Sequence, residues 1–246
     1  MPENYFSEDV ARRYDDPTGE MFQLAAIDPV VEFLAELAEL AELAELAGDG
    51  AALELGIGTG RIALPLAQRG VRVHGIDLSE AMVAKLREKP GGDEIPVAIG
   101  DFAATRVEGT FSLAYLVFNT INNLTTQDAQ VACFENVASH LGPGGCFVIE
   151  VGVPGRGPLS VFALGDTHVG VDERDAASQR LVSHHFMLVD GRWERRSIPF
   201  RYVWPSELDL MARLAGMSLR ERWSGWKREP FTSNSTKHVS VWEKEI

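Results

Sequence analysis

The chain predicts a doubly wound α/β fold on a mostly parallel sheet, with an antiparallel strand insertion late in the sequence. Three observations carry this reading. Between residues 51 and 151, apolar runs of strand length alternate with helix-forming segments, the pattern of a parallel sheet covered on both faces. The first run, 51–55, passes through Gly56, Gly58 and Gly60 straight into helix-forming residues. After Gly152 the alternation stops. Residues 160–204 read as antiparallel strands, with Asp190-Gly191 as a hairpin turn between 181–189 and 193–203.

The elements follow in order. The stretch from Tyr5 to Phe22 reads as one or two short helices bearing Tyr5, Phe6, Tyr14 and Phe22. Asp28-Pro29 reads as the start of the next helix, Asp as cap and Pro in the first turn, where its missing N–H costs nothing. That helix runs into a Leu-Ala-Glu repeat over 34–47, made of strong helix formers and expected to stop at Gly48. A period of three lags a helix by about 60° per repeat, so the leucine stripe winds around the axis instead of facing one core. The spacing extends a scaffold helix and assigns it no further role.

Strands are expected at 51–55, 71–76, 95–99, 111–117 and 145–151, and helices at 61–69, 80–88 and 127–140. Pro65 fits if its helix begins near Gly60 or Arg61. Pro205 opens a helix to Leu214, ended by Gly216, and strands 218–223 and 238–243 finish the chain.

Composition narrows the partners. Acidic residues outnumber basic ones 36 to 23, for a formal net charge of −13, which disfavours nucleic acid and anionic membrane surfaces. Cys133 and Cys146 sit in apolar company without metal-ligand or redox spacing, so no metal is expected. Met1-Pro2-Glu3-Asn4 opens no signal peptide, and no apolar run approaches the ~20 residues of a membrane span. A cytoplasmic protein is expected.

Three acidic positions fall at the carboxyl ends of neighbouring strands, the edge where open parallel sheets bind ligands. Glu54 precedes Gly56, Gly58 and Gly60; Asp77 ends the second strand; Asp101-Phe102 follows the third. Asp77 is placed to accept both hydroxyls of a ribose. Asp101 is placed to accept from an adenine amino group while the Phe102 N–H meets a ring nitrogen. A nicotinamide dinucleotide site wants Gly-x-Gly-x-x-Gly for its pyrophosphate. Here the spacing is Gly-x-Gly-x-Gly behind a carboxylate, which would repel phosphate but suits an ammonium. That points to S-adenosylmethionine.

Glu54-Leu-Gly-Ile-Gly-Thr-Gly60, Gly75-Ile-Asp77-Leu-Ser, Gly100-Asp101-Phe102 and Gly142-Pro-Gly-Gly145 resemble the successive motifs of class I S-adenosylmethionine-dependent methyltransferases, of the type acting on small molecules. The resemblance covers roughly residues 50–151. It implies a seven-stranded Rossmann-like sheet with a reversed C-terminal hairpin. It also implies a division into an N-terminal helical lid (1–28), a cofactor-binding core (29–152), an antiparallel insertion covering substrate or contacting a second copy (153–204), and a return to the core sheet (205–246). Glu54 and the backbone of Gly56, Gly58 and Gly60 would hold the methionine end, Asp77 the ribose, and Leu78 and Met82 the adenine faces. Asp101 and Phe102 would read the adenine edge, Phe118 would lie beside the sulfonium, and Tyr14 would close over the cofactor. The product would be S-adenosylhomocysteine.

The acceptor is less defined. Methyl transfer from a sulfonium needs positioning and water exclusion, and a base only where the acceptor must lose a proton. Methyltransferases acting on base amino groups carry Asn-Pro-Pro-Tyr after the fourth strand. Here Phe118-Asn119-Thr120-Ile121 keeps only the asparagine, which argues against nucleobases. Asn119 is a candidate for orienting substrate, with capping of the next turn as its alternative role. Of the adjacent His184 and His185 only one can face the site, and His185 is the candidate base. His168 is read in a loop.

Aromatics through 186–231 suggest a small apolar or aromatic acceptor, or a homodimer contact. The expected activity is methylation of an O or N atom of a small organic molecule in specialised metabolism. The alternatives are a cofactor-binding protein without transfer activity and a nicotinamide-dependent oxidoreductase.

Overall fold

The computed structural model describes residues 5–15, 20–45, 50–155 and 157–245. The expected stop at Gly48 and the opening residues 1–4 lie outside them. No helix of the described residues is long and apolar enough to cross a membrane.

Among the described residues, eleven strands form two sheets. The larger holds β1 (Ala52–Leu55), β2 (Val73–Asp77), β3 (Val97–Ile99), β4 (Phe111–Leu116), β5 (Leu141–Gly152), β10 (Met217–Trp223) and β11 (Lys237–Lys244), in the order β10-β11-β5-β4-β1-β2-β3. β1 lies parallel to β2 and β4, as do β2 to β3 and β4 to β5. β11 runs antiparallel to both β5 and β10, which is the expected reversed hairpin. Strand order reverses between β1 and β4, so the crevice beyond their carboxyl ends is the natural ligand site.

Alternate residues of the buried strands feed two cores. On one face Leu53, Leu55, Ala114, Leu116 and Phe147 meet Phe134 and Val137 of α5 (Gln127–His140) and Met211 of α6 (Pro205–Leu214). On the other, Ala52, Leu113, Tyr115 and Val148 meet α2 (Leu24–Leu43), with Leu66 of α3 (Ala63–Gln68) and Leu86 of α4 (Glu80–Arg87). Thr126 and Ser79 cap α5 and α4, each side chain accepting from the third residue on. Pro65 falls in the first turn of α3, where no intrahelical donor is lost.

Helix α2 begins five residues before the expected start, with Gln23 instead of Asp28 at its cap and Pro29 inside it. The added turn is solvent-exposed at Ala25, whose carbonyl the proline leaves without its helical donor, so water can replace the missing bond. Along the repeat the leucine stripe winds off the core as its period requires. Leu34 and Leu37 are buried, whereas Leu40 is 45 % and Leu43 74 % exposed, the core contact having passed to Ala38 and Ala41. With Glu42, Leu43, Ala44 and Glu45 all exposed, the helix ends at Leu43, and Glu45 turns left-handed at φ 53°. The end therefore comes before Gly48.

The smaller sheet is a meander of β6 (Leu159–Leu164), β7 (His168–Asp175), β8 (Arg180–Val189) and β9 (Arg192–Arg201). Asp190 and Gly191 make its tight turn with φ of 49° and 75°. His168, read in a loop, is the first residue of β7, drawn into the ladder opposite Met187. The N-terminal segment contributes α1 (Glu8–Tyr14) and a single 3-10 turn, Glu20–Phe22.

Candidate active site

At the carboxyl edge of β1, Gly56, Gly58 and Gly60 all adopt left-handed φ, at 71°, 54° and 77°. Gly60 is doubly constrained, since a Cβ there would stand 2.4 Å from Leu86. The turn thus packs on α4 and bares its backbone to a cavity at the carboxyl edge of the sheet. Gly56, Gly58, Asp77, Leu78, Met82, Asp101 and Phe102 line it, with Thr120, Asn123 and Leu124 opposite and Tyr5, Phe6 and Tyr14 above.

Asp77 sits at the centre of the wall. Its Oδ2 accepts from the Gly58 N–H at 2.7 Å and its Oδ1 from the Ser79 N–H at 2.8 Å. Burial raises its carboxyl above the ordinary value, opposed by these backbone donors. Each oxygen keeps a second lone pair for a ligand hydroxyl. Asp101 lines the wall next to it, with its Oδ1 accepting from Ala103 N–H at 2.9 Å. Phe102 and Met82 are buried against the cavity.

Glu54 lies below the cavity wall rather than on it. It is 3 % exposed and accepts from the Tyr115 hydroxyl at 3.0 Å, its parallel neighbour in register on β4. Burial pushes its carboxyl up to about 8, against the hydrogen bond from Tyr115 and the charge of Arg61. Such a group gains from a cation brought near it.

The aromatic roof is fastened by bonds between distant segments. Thr59 Oγ1 donates to Asp15 at 2.6 Å, and Lys89 bridges Asp15 at 2.7 Å and the Thr59 carbonyl at 2.7 Å. Ser79 Oγ donates to Phe6 O at 2.5 Å. Tyr14 packs edge-on against Phe6 and Phe22 at 6.2 and 5.8 Å, and burial raises its phenol above the ordinary range. Arg61 donates to Met21 O and lies 6.0 Å from the Phe22 ring and 5.2 Å from Phe118.

Not every expected residue reaches this cavity wall. Gly60 shapes the turn from behind. Phe118, at φ 57°, is half-exposed against Arg61. Asn119 does not cap the turn Thr120–Asn123; its Oδ1 accepts from Gly152 N–H at 2.7 Å, tying the end of β4 to the end of β5. His185 stands apart on β8, with Nδ1 3.1 Å from His168 Nε2 and the two rings stacked at 5.3 Å. Burial, then His168 and Arg196, lower its pKa. His184 points to the opposite face and meets Ser197 and Glu173.

Sequence reasoning missed Tyr115, Thr59, Arg61 and Lys89. Tyr115 alone had a signal: a phenol inside an otherwise apolar buried strand requires a polar partner.

A sheet of this strand order, with a carboxylate-led glycine turn and two more acidic strand ends around one cavity, defines the methyltransferases that use S-adenosylmethionine. The family profile of a methyltransferase domain matches residues 52–145. The solved structure of the CcbJ methyltransferase from Streptomyces caelestis is 36% identical, over 96% of both chains, with a TM-score of 0.78. The cypemycin N-terminal methyltransferase of a Streptomyces species is 28% identical over 78% of this chain and 82% of its own length. The S-adenosylmethionine-bound CalS10, an amino pentose methyltransferase from Micromonospora echinaspora involved in calicheamicin biosynthesis, shares the fold at 20% identity and a TM-score of 0.66, over 98% of this chain and 99% of its own. The chain belongs to the class I S-adenosylmethionine-dependent methyltransferases, and S-adenosylmethionine is its methyl donor.

The residues present fit that donor. The glycine turn leaves room that side chains would fill, since a Cβ on Gly56 would stand 2.7 Å from Thr120 and one on Gly58 3.4 Å from Met82. Among the described residues, no lysine or arginine lines the cavity to meet a phosphate, and Glu54 beneath it suits an ammonium.

Proposed function

We propose that the chain methylates an O or N atom of a small organic molecule in specialised metabolism, with nitrogen the favoured acceptor. The observation that carries this is the aromatic-roofed cavity, closed above by Tyr5, Phe6 and Tyr14 and bordered by the smaller sheet, where Arg196 of β9 donates to Tyr5 O. Such an enclosure suits a compact acceptor and keeps water from a reactive sulfonium. The names of the similar proteins, an N-terminal and an amino pentose methyltransferase, support nitrogen.

Bound in the cavity, S-adenosylmethionine supplies a methyl carbon activated by positive sulfur. In this reading Asp77 takes the ribose hydroxyls, and Leu78, Met82, Asp101 and Phe102 hold the adenine. The glycine turn, with Glu54 behind it, faces the methionine end. Tyr14 closes over the donor, and the Phe118 ring guards the methyl path beside Arg61. Asn119 positions that path through Gly152, so its part is orientation. His185, on the smaller sheet and with its pKa lowered by burial, is the candidate to take a proton where the acceptor must lose one.

Calorimetric titration with S-adenosylmethionine, S-adenosylhomocysteine and NADH should give binding of the first two only. Transfer of a labelled methyl group to a panel of amines, amino sugars, phenols and short peptides should favour small amines. Transfer to peptides or nucleobases alone would overturn the acceptor class.

A further inference from the structure

Among the described residues, Arg196 of β9 carries a guanidinium without a counter-charge at the edge of the smaller sheet that meets Tyr5. Three other arginines with largely covered side chains each carry a carboxylate: Arg201 pairs with Glu207 at 2.6 Å, Arg222 with Asp209 at 2.6 Å and Arg174 with Asp172 at 3.1 Å. Arg196 makes no ion pair among the described residues, and its guanidinium donates only to the Tyr5 carbonyl. Burial lowers its basicity, with no carboxylate near enough to restore it. A half-buried guanidinium with one neutral partner has most of its five donors uncommitted.

Its surroundings define what it can take. Arg196 lies directly across the β8–β9 ladder from His185, so both occupy one face of the sheet. His185 stacks on His168, and the Phe162 ring closes on it edge-first at 5.2 Å. Through Tyr5, the same face touches the wall of the cofactor cavity. The patch therefore offers the Arg196 guanidinium, two imidazoles and an apolar ring, the Asp172 carboxylate of the same face being engaged by Arg174 and Ser183, within a chain of net charge −13.

We infer that Arg196 receives a carboxylate carried by the methyl acceptor, the imidazole pair and Phe162 bordering the acceptor's body. A guanidinium fork matches a carboxylate bidentately, and one fixed charge suits a monoanion better than a doubly charged phosphate. This assignment rests on reading the space between lid and smaller sheet as the acceptor site.

The test measures binding, so it does not depend on turnover. Protein loaded with S-adenosylhomocysteine is titrated by ligand-observed NMR with matched pairs: proline and prolinamide, phenylalanine and phenylalaninamide, 3-aminobenzoate and 3-aminobenzamide. At least one acid should bind about tenfold more tightly than its amide, the scale of a charge-assisted hydrogen bond. Arg196→Met should erase that preference and Arg196→Lys retain part of it, the lysine variant guarding against loss of fold in the first. Amides binding as well as acids, or a preference that survives in Arg196→Met, would overturn the role of Arg196. No binding by any probe would overturn the acceptor-site reading on which it stands.

Discussion

Asp77 and Glu54 end neighbouring strands, but the fold treats their charges differently. Asp77 receives two backbone N–H groups at the cavity wall, whereas Glu54 has the Tyr115 phenol and almost no solvent. Asp77→Ala removes an acceptor of ligand hydroxyls and a brace of the glycine turn. Calorimetry should show S-adenosylhomocysteine binding weakened by ~1.5–3 kcal/mol, the range for hydrogen bonds to charged groups; unchanged affinity would take Asp77 out of the site. Glu54 gives a pH signature. Its ordinary value is 4.5 and its folded value about 8, so between them the folded chain holds a proton that the unfolded chain has released. The stability of the ligand-free protein should fall as pH rises through that window and level off above it. Denaturant melts across pH 5–9 should show a shallower fall in Glu54→Gln. An ammonium brought near Glu54 favours its ionised form, so donor affinity should rise from pH 6 to 8 more in the wild type than in Glu54→Gln.

Elements show which parts of this protein were legible from local pattern. In α2 the period-three repeat already implied that its leucines leave the core in turn. Leu37→Ala should therefore cost ~2–5 kcal/mol in chemical denaturation, while Leu43→Lys stays within about 0.5 kcal/mol. Equal costs would mean that the exposed end of the helix is covered by something else. The strand order's five parallel members, the hairpin at Asp190-Gly191 and the acid-ended strands followed from residues a few positions apart. What remained hidden was long-range. Thr59 meets Asp15, Glu54 meets Tyr115 and Arg196 meets Tyr5 across 44, 61 and 191 residues. No local spacing encodes such partners; they follow only once sheet order and lid position are set. The helix start misread at Asp28-Pro29 has a different cause. A proline there is tolerated because the preceding turn is wet, and burial is not written in the dipeptide.

On the scale of the whole molecule, a buried polar junction joins the smaller sheet to the core. Arg201, at the end of β9, donates to Gln130 of α5, to Gln179 Oε1 at 3.0 Å and to Glu207 of α6. Gln130 in turn donates to Ile121 O, in the turn that forms the far wall of the cavity. Burial pushes the Glu207 carboxyl up, but hydrogen bonds from Gln179, Arg201 and Gln127 outweigh it and hold the group below its ordinary value. That part of the stability is present above the unfolded value and is lost as pH falls through the folded one. Arg201→Met leaves the Gln130 and Gln179 amide oxygens without their donor and Glu207 without its counter-charge, and should cost ~3–5 kcal/mol in a denaturant melt. Arg201→Met combined with Glu207→Leu should recover part of this, because the stranded charge is gone. The kinetic consequence separates a joint from a mere prop. If the junction sets the smaller sheet against the cavity wall, the double variant should raise KM for the acceptor several-fold while the affinity for S-adenosylhomocysteine changes little. Parallel losses in both would mean that the junction supports the core as a whole and does not align the two sheets across the reaction site.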